Sequence, residues 1–249
     1  MTPVDAPLFN RDVDWDRWPV SDYVDELYRR ILPSDEAVIA HHSAFFRRFP
    51  AGHFGRAVEL GTGPNLYPLM LLAGVSREVV AVEPSAASRA YLERQLADGP
   101  DPHWQIFYDR CRQLRPELPD SLAEALSSVT VRAGGARDLE PAGFDLASMH
   151  FVAESATEDR DEFRDLCRAF AAAVRPGGHL VAAFMENMGR YRIGAGPHWP
   201  GYPVDAGAVR AAFAPYTTDL EIGRVGTEAT SDGYQTTGMV LLTARVRRA

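Results

Sequence analysis

The chain has 249 residues, of which 46% are hydrophobic and 24% charged, a composition typical of a soluble globular protein with a sizeable core. Its formal net charge of -8 and pI near 5.4 argue against a nucleic-acid partner, because phosphate backbones bind basic surfaces. The two cysteines lack metal-ligand spacing, the N-terminus lacks a signal-peptide core, and no run approaches the ~20 apolar residues of a membrane span. We therefore expect a cytoplasmic protein with no metal site and no membrane association.

The first 50 residues predict an arm followed by a helical lid. Residues 1–18 show no clear period and are expected to lie on the surface as an arm. Apolar residues recur every four positions in residues 21–32, which predicts a helix. A second helix is predicted over residues 34–49, because Ser and Asp at its start are common N-caps.

Strand and helix patterns alternate through the rest of the chain, residues 51–249, which we expect to form the main domain. The predicted strands are residues 56–60, 78–83, 129–133, 144–151, 177–186, 219–228 and 238–246. The predicted helices are residues 67–73, 85–97, 121–128, 161–176, which Pro176 is expected to stop, and 205–214. An insertion at about 99–128 interrupts the rhythm, and its first part, residues 99–120, is rich in Gly and Pro and is predicted to be irregular.

The alternation predicts a Rossmann-like α/β fold, a doubly wound and mostly parallel sheet with helices on both faces. The last two strands are separated by a loop rather than a helix, so we expect them to form an antiparallel C-terminal pair. Ligands of such sheets bind at the carboxyl ends of the strands. Residues at those ends are therefore the candidates for a functional site.

A short glycine loop follows the first strand of the alternation. Glu59, Gly61 and Gly63 form an acid-x-Gly-x-Gly pattern, but Leu66 stands where a dinucleotide fingerprint needs its third glycine. No lysine follows, which excludes a P-loop. Glu83 ends the second strand, where an acid can accept both hydroxyls of a ribose. Together these features predict S-adenosylmethionine (SAM) as the cofactor, with Glu59 orienting the loop.

Two further groups of residues are candidates for the acceptor side of the site. His150, at the end of the fourth strand, is either a general base or acceptor-orienting donor, or it simply fills the strand end. The four tryptophans lie in the arm, the insertion and a late loop, and they either cap the pocket or pack for stability alone. They are Trp15, Trp18, Trp104 and Trp199.

Four segments carry a resemblance to a known family: "SDYVDELY", "GTGPNLYPL", "RPGGHLV" and "GRYRIG". In these segments the chain resembles class I SAM-dependent methyltransferases, and more narrowly the family of nicotinamide, phenylethanolamine and thioether methyltransferases. The resemblance extends from about Asp22 to Arg245. The proline and tyrosine of the loop segment are more specific to this family than its glycines are.

The resemblance implies roles for individual residues. Tyr28 and Tyr67 would bind the methionine carboxylate of SAM, and Tyr23 and Tyr191 would close over the acceptor from two sides. Aromatic faces attract cations such as the SAM sulfonium. The complete predicted cofactor set is Tyr28, Glu59, Gly61, Thr62, Gly63, Tyr67, Glu83, Pro84, Ser88 and Met149.

The sequence departs from the family pattern at two points. No acid follows the third strand at the position expected to contact adenine, and Asp138 is the nearest substitute. Phe184 stands where family members that act on pyridines and amines carry an acid that anchors the substrate, and Glu186 lies two residues further on the same face of the strand. The predicted substrate set is Tyr23, His150, Phe184, Glu186 and Tyr191, with Tyr23, His150 and Glu186 as the catalytic candidates.

The resemblance implies methyl transfer from SAM to a small-molecule acceptor, most naturally an amine or a ring nitrogen. The alternative is an enzyme that cyclises SAM's own aminobutyrate chain and releases methylthioadenosine, which Phe184 at the anchoring position would suit. A scaffold without activity would have no need of the loop, Glu83 and the tyrosines. A monomer and a homodimer are both compatible with the sequence.

Overall fold

The computed structural model describes residues 6–226 and 236–248. Within them, seven strands form one sheet in the order β3-β2-β1-β4-β5-β9-β8. Strands β1 to β5 are parallel to their neighbours among themselves, whereas β9 is antiparallel to both β5 and β8. The predicted Rossmann-like fold with an antiparallel C-terminal pair is confirmed.

The bounds of the elements are as follows. The strands are β1 Phe54–Leu60, β2 Ser76–Glu83, β3 Val129–Ala133, β4 Phe144–His150, β5 Val174–Glu186, β6 Tyr191–Arg192, β7 His198–Trp199, β8 Thr217–Gly226 and β9 Gly238–Val246, with β6 and β7 forming a small separate hairpin. The helices are α1 Val20–Leu27, α2 Pro33–Phe46, α3 Tyr67–Ala73, α4 Ala86–Asp98, α5 Trp104–Leu114, α6 Leu122–Leu126, α7 Arg160–Ala172 and α8 Ala206–Phe213. None of these helices is long and apolar enough to cross a membrane.

The bounds of α3, β3 and β9 agree with the sequence prediction, and the largest differences are at the ends of α1 and α7. Helix α1 ends at Leu27, because the backbone leaves the helical region at Tyr28 and Pro33 starts the next helix. Helix α7 ends at Ala172, and Pro176 lies inside β5 rather than stopping the helix. The last two residues of the strand predicted over 219–228 lie outside the described part of the chain.

The prediction that residues 99–120 are irregular is wrong, because they contain the eleven-residue helix α5. Trp104, Phe107, Tyr108 and Cys111 follow one another at helical spacing, and all four are fully buried. The helix packs against α2 and α3. The Gly and Pro residues that suggested a loop flank the helix instead of interrupting it.

Side chains alternate between two hydrophobic clusters on the two faces of the sheet. Ala57 of β1 and Leu146 of β4 join the cluster under α2, α3 and α5, whereas Val58 belongs to the cluster under α7 and α8. The same alternation places Glu59 and His150 on the α2–α3 side. Glu59 is the penultimate residue of β1 and His150 is the last residue of β4, so both lie at the same edge of the parallel sheet.

The N-terminal arm, residues 6–18, crosses this edge and is hydrogen-bonded to the starts of α7 and α4. The backbone N–H of Asn10 donates to Glu162 Oε2 at 2.7 Å, at the start of α7. Asp16 Oδ1 accepts the N–H of Ala86 at 2.6 Å, at the start of α4. The arm therefore spans the mouth of the region where parallel sheets bind their ligands.

Candidate active site

A cleft with about 1010 Å³ of space, part of it open to solvent, lies at the carboxyl ends of β1, β2 and β4 beneath the arm. Its wall contains residues from the glycine loop, the strand ends, the arm and the β6–β7 hairpin. Ten of the residues predicted from the sequence line it: Tyr23, Glu59, Gly61, Thr62, Gly63, Glu83, Pro84, Ser88, His150 and Tyr191.

The glycine loop needs backbone conformations that residues with a side chain rarely adopt. Gly61 and Gly63 have φ of +65° and +57°, in the left-handed region that favours glycine. A Cβ on Gly61 would meet the side chain of Val152 at 2.7 Å, so the loop packs tightly there. A Cβ on Gly63 would meet nothing within 4 Å, because this glycine faces the open cleft. The loop thus brings bare backbone to a ligand at Gly63.

Glu83 forms the bridge between this loop and the second strand. Its Oε2 accepts the N–H of Gly63 at 2.8 Å, and its Oε1 accepts the N–H of Ser85 at 2.9 Å. The residue is 5% exposed, and burial raises the pKa of its carboxyl to about 6 against the opposing effect of these two hydrogen bonds. Each carboxylate oxygen retains a lone pair for a further donor. The arrangement therefore suits two hydroxyl groups presented from the cleft.

Glu59 and His150 form a buried pair on the neighbouring strands β1 and β4. His150 Nδ1 lies 2.9 Å from Glu59 Oε1 and 3.3 Å from the hydroxyl of Ser148. Both residues line the cleft. Glu59 Oε2 and His150 Nε2 are buried without a hydrogen-bond partner in the described part of the chain. One oxygen and one ring nitrogen of the pair thus have unused hydrogen-bonding capacity at the wall of the cleft.

Aromatic side chains form the wall opposite the loop. Trp18 packs edge-on against Tyr23 and Tyr191, with ring centroids 5.1 and 6.1 Å apart. Trp15 also lines the cleft and stacks on Trp199 at 5.4 Å, while Met185 and Met188 complete this side. The tryptophans of the arm therefore cap the cleft, which is one of the two roles considered for them. Trp104 is instead fully buried in α5.

Three predicted cofactor residues lie behind the wall of the cleft. Tyr28 is 2% exposed, and its hydroxyl accepts a hydrogen bond from Asn65 Nδ2 at 3.1 Å and lies 3.1 Å from the hydroxyl of Tyr23. Tyr67 is fully buried, and its N–H donates to Asn65 Oδ1 at 3.1 Å. Met149 belongs to the cluster on the opposite face of the sheet. The tyrosines thus touch the residues of the wall rather than the cleft.

Phe184 and Glu186 do not line the cleft. Phe184 is fully buried on the α7–α8 side, where its ring lies 6.3 Å from Phe163 and 6.0 Å from Phe213. Glu186 accepts hydrogen bonds from Arg224 Nε at 2.7 Å and Nη2 at 2.6 Å, and the Arg224 guanidinium holds the pKa of its carboxyl below the usual range. This carboxylate is already paired, so we leave it out of the site proposed below.

The end of the cleft next to β3 carries no acid side chain. Gly135 and Ala136 line it, whereas Asp138 turns back so that its Oδ2 accepts the N–H of Gly135 at 2.8 Å. Asn65 is a further lining residue that the sequence reasoning missed. Its signal was present, because it is the polar residue inside an otherwise apolar stretch between the glycine loop and α3. No cluster of three or more metal-binding side chains occurs within residues 6–226 and 236–248.

The chain is similar to known proteins in sequence and in fold. A family model described as the NNMT/PNMT/TEMT family matches residues 11–247. Indolethylamine N-methyltransferase of Mus musculus is 25% identical over 162 residues, which cover 60% of this chain and 61% of the mouse protein. The match thus spans less than two thirds of that relative.

Two solved structures show a similar fold over most of the chain. The protein of a DhpI–SAH complex superposes with a TM-score of 0.58 at 15% identity, covering 94% of this chain and 95% of that one. The N-methyltransferase NodS of Bradyrhizobium japonicum WM9, in complex with S-adenosyl-L-homocysteine (SAH), superposes with a TM-score of 0.51 at 15% identity, covering 86% of each chain. At these identities the likeness establishes the fold alone.

Proposed function

From the premise that the chain belongs to the NNMT/PNMT/TEMT family of SAM-dependent methyltransferases, we propose that it methylates a small molecule at an amine or a ring nitrogen. The observation that carries the proposal is the buried Glu83 carboxylate bound to the amide of Gly63 at the edge of the cleft. This pairing places an anionic hydrogen-bond acceptor for the sugar hydroxyls next to exposed backbone, which can contact the atoms attached to the sugar. A site for a phosphate-bearing nucleotide would also need the third glycine or the lysine of a phosphate-binding loop, and this loop has neither.

The residues of the cleft fit SAM on three observations. Glu83 has lone pairs for the two ribose hydroxyls, and the absence of a Cβ on Gly63 leaves the cleft open beside it. The partnerless Glu59 Oε2 is an anionic acceptor suited to the ammonium group of the methionine part. Tyr28 and Tyr67 are proposed to act indirectly, by fixing Asn65 at the wall.

When bound, SAM supplies an electrophilic methyl group on a positively charged sulfur. The chain's own contribution is then to bring the acceptor in line and keep water out. Trp18, Tyr23 and Tyr191 offer aromatic faces, which stabilise a nearby cation by ~0.5–2 kcal/mol. The arm, which carries Trp18, lies across the mouth of the cleft and limits access to it.

The structure gives no support to cyclisation of SAM as the second candidate. Phe184, as a replacement for an acid in the acceptor site, suited that alternative. Phe184 lies on the other face of the sheet, among Phe163 and Phe213. Its identity therefore has no bearing on what the cleft binds.

The proposal is tested by titrating the purified protein with SAH in a calorimeter and then assaying methyl transfer. We expect 1:1 binding of SAH with a Kd in the micromolar range. With SAM and a panel of primary amines, secondary amines and pyridines, we expect mass spectrometry to detect, for at least one amine or pyridine, a product ion 14 m/z units above the protonated substrate. Failure to bind SAH would refute the proposal.

The aromatic cap is tested separately with Trp18→Ala. Because the cap faces the acceptor rather than the sugar, we expect KM for the acceptor to rise by about tenfold, whereas the Kd of SAH changes by less than about threefold. Tyr216→Ala, which removes an exposed aromatic side chain outside the cleft, is the matched control and is expected to alter neither constant. An equal loss of SAH and acceptor binding in Trp18→Ala would contradict this assignment.

A further inference from the structure

We propose that His150, held by Glu59, accepts a proton from the acceptor, and that the acceptor is accordingly an amine that still carries an N–H bond. The inference rests on the proposed methyl transfer and narrows its class of acceptor. Methylation of a pyridine nitrogen or a thioether sulfur releases no proton, because neither atom carries a hydrogen. A buried proton acceptor in the cleft has a use only when one is released.

The geometry of the pair leaves one basic nitrogen. Glu59 accepts only, when ionised, so the short contact of 2.9 Å makes His150 Nδ1 the donor. The lone pair of the neutral ring then lies on Nε2, which has no hydrogen-bond partner among the described residues. A carboxylate behind an imidazole fixes its tautomer and stabilises the imidazolium that forms on protonation.

The other groups in contact with the His150 ring include a hydroxyl and two aromatic rings. Ser148 Oγ lies 3.3 Å from Nδ1, and the ring of Tyr67 is 6.0 Å away. His42, on α2, has its ring centroid 5.0 Å from that of His150, and burial lowers its pKa well below the ordinary value. His42 is therefore neutral, and His41, whose Nδ1 lies 3.0 Å from His42 Nδ1, is also shifted by burial towards the neutral form. Glu59 is the nearest charge.

The proton balance links the pair to the class of acceptor. As the new N–C bond forms from the nitrogen lone pair, the C–S bond breaks and its electrons stay on sulfur. An amine with an N–H bond then loses that proton, which passes to His150 Nε2 and later to solvent. A pyridine nitrogen or a thioether gives a cationic product and loses no proton.

The carboxylates of the cleft support the same class of acceptor, an amine with an N–H bond. Among its described lining residues only Glu59 and Glu83 are acids. Glu83 faces the glycine loop, and Glu186 is occupied by Arg224. No carboxylate beyond the Glu59–His150 pair is thus positioned to take a proton from an amine in this part of the cleft.

The first test uses wild-type protein and needs no acceptor. Long-range proton–nitrogen NMR of the imidazoles, on the SAH complex, reports which ring nitrogen carries the proton. We expect neutral His150 to be protonated at Nδ1 with Nε2 free, because Nδ1 is the donor to Glu59. A proton on Nε2 in the neutral form would overturn the proposal.

The second test compares His150→Gln with the wild type at saturating SAM. For an amine acceptor at pH 7 we expect kcat to fall by about a hundredfold and to recover as the pH is raised, while the Kd of SAH stays within about threefold. Pyridine and thioether probes are expected to be poor substrates of both proteins, at rates that agree within about twofold. His198→Gln, an exposed histidine outside the cleft, is the control and should leave kcat unchanged.

The outcomes separate this inference from the proposed function. If the wild-type protein does not bind SAH, the proposed methyl transfer itself is refuted. Normal SAH binding together with amine methylation that is unchanged in His150→Gln leaves methyl transfer standing and overturns the role of His150. A pyridine or a thioether as the best acceptor overturns the assigned substrate class.

Discussion

Replacing Glu83 by alanine is expected to weaken SAH binding by about a hundredfold, or about 2.7 kcal/mol. The carboxylate is buried at the edge of the cleft, where hydrogen bonds from ribose hydroxyls to an ionised acceptor are each worth ~1.5–3 kcal/mol. The same oxygens also hold the amides of Gly63 and Ser85. Calorimetry with SAH measures the loss, and thermal unfolding shows how much of it comes from disorder of the loop.

The matched control is Glu78→Ala, which removes an acid from the same strand. Glu78 is exposed, and its only described ion pair, with Arg56 at 3.0 Å, lies on the surface. Such a pair contributes ~0–1 kcal/mol, so we expect SAH affinity to stay within about twofold of the wild type. Equal affinities for Glu83→Ala and Glu78→Ala would contradict the cofactor site.

The pH dependence of binding gives a second readout of Glu83. Burial raises the pKa of its carboxyl to about 6 in the free protein, and hydroxyl donors favour the ionised form. Below this pKa binding must release a proton, so SAH affinity is expected to be full above about pH 7 and to fall as the pH drops through 6, by at most about tenfold per unit. Glu83→Gln should remove this dependence in the same window.

The fold and the cofactor end of the cleft follow from local signals in the sequence. Parallel strands interleaved with helices force their carboxyl ends to one edge, so the residues that end β1, β2 and β4 had to meet there. Glycines with positive φ and an acid after the second strand need no long-range information. This is why Glu83 and the loop, Gly61 to Gly63, were placed from the sequence.

The acceptor end of the cleft could not be placed in the same way, because it depends on which side chains pair with each other across strands. Glu186 shares a strand face with the expected anchor, Phe184, but its carboxylate is paired with Arg224. Arg224 is distant in sequence and reaches Glu186 because β8 pairs with β9 and β9 pairs with β5. The contact of His150 with Glu59 likewise requires the adjacency of β1 and β4. Periodicity within one segment carries no information on such pairs.

Helix α5 was missed for a different reason. Proline and glycine are strong breakers, and their density over residues 99–120 outweighed the helical spacing of Trp104, Phe107 and Tyr108. Tertiary packing decides here, since these side chains complete the cluster under the sheet. The helix also supports the site, because Phe107 stacks on Tyr67 at 5.9 Å with an interplanar angle of 6°.

Trp104→Ala is therefore expected to lower the free energy of unfolding by ~3–5 kcal/mol, the loss typical of a buried tryptophan or phenylalanine truncated to alanine. Trp104 is fully buried, its ring lies 5.4 Å from Tyr28 and 5.3 Å from Phe107, and its Nε1 donates to Tyr91 at 2.8 Å. Urea unfolding measures the change. Tyr28 fixes Asn65 at the cleft, so the folded variant is also expected to bind SAH several-fold more weakly.

Ile106→Ala on the same helix separates burial from helix propensity. Ile106 is 41% exposed, and alanine is the better helix former, so the change in unfolding free energy is expected to stay within ~0.5 kcal/mol. Similar small effects of the two substitutions would mean that α5 is not docked on α2 and α3. The tyrosines behind the cleft would then lose the support that this helix is inferred to give, and the indirect role proposed for Tyr28 would fail with it.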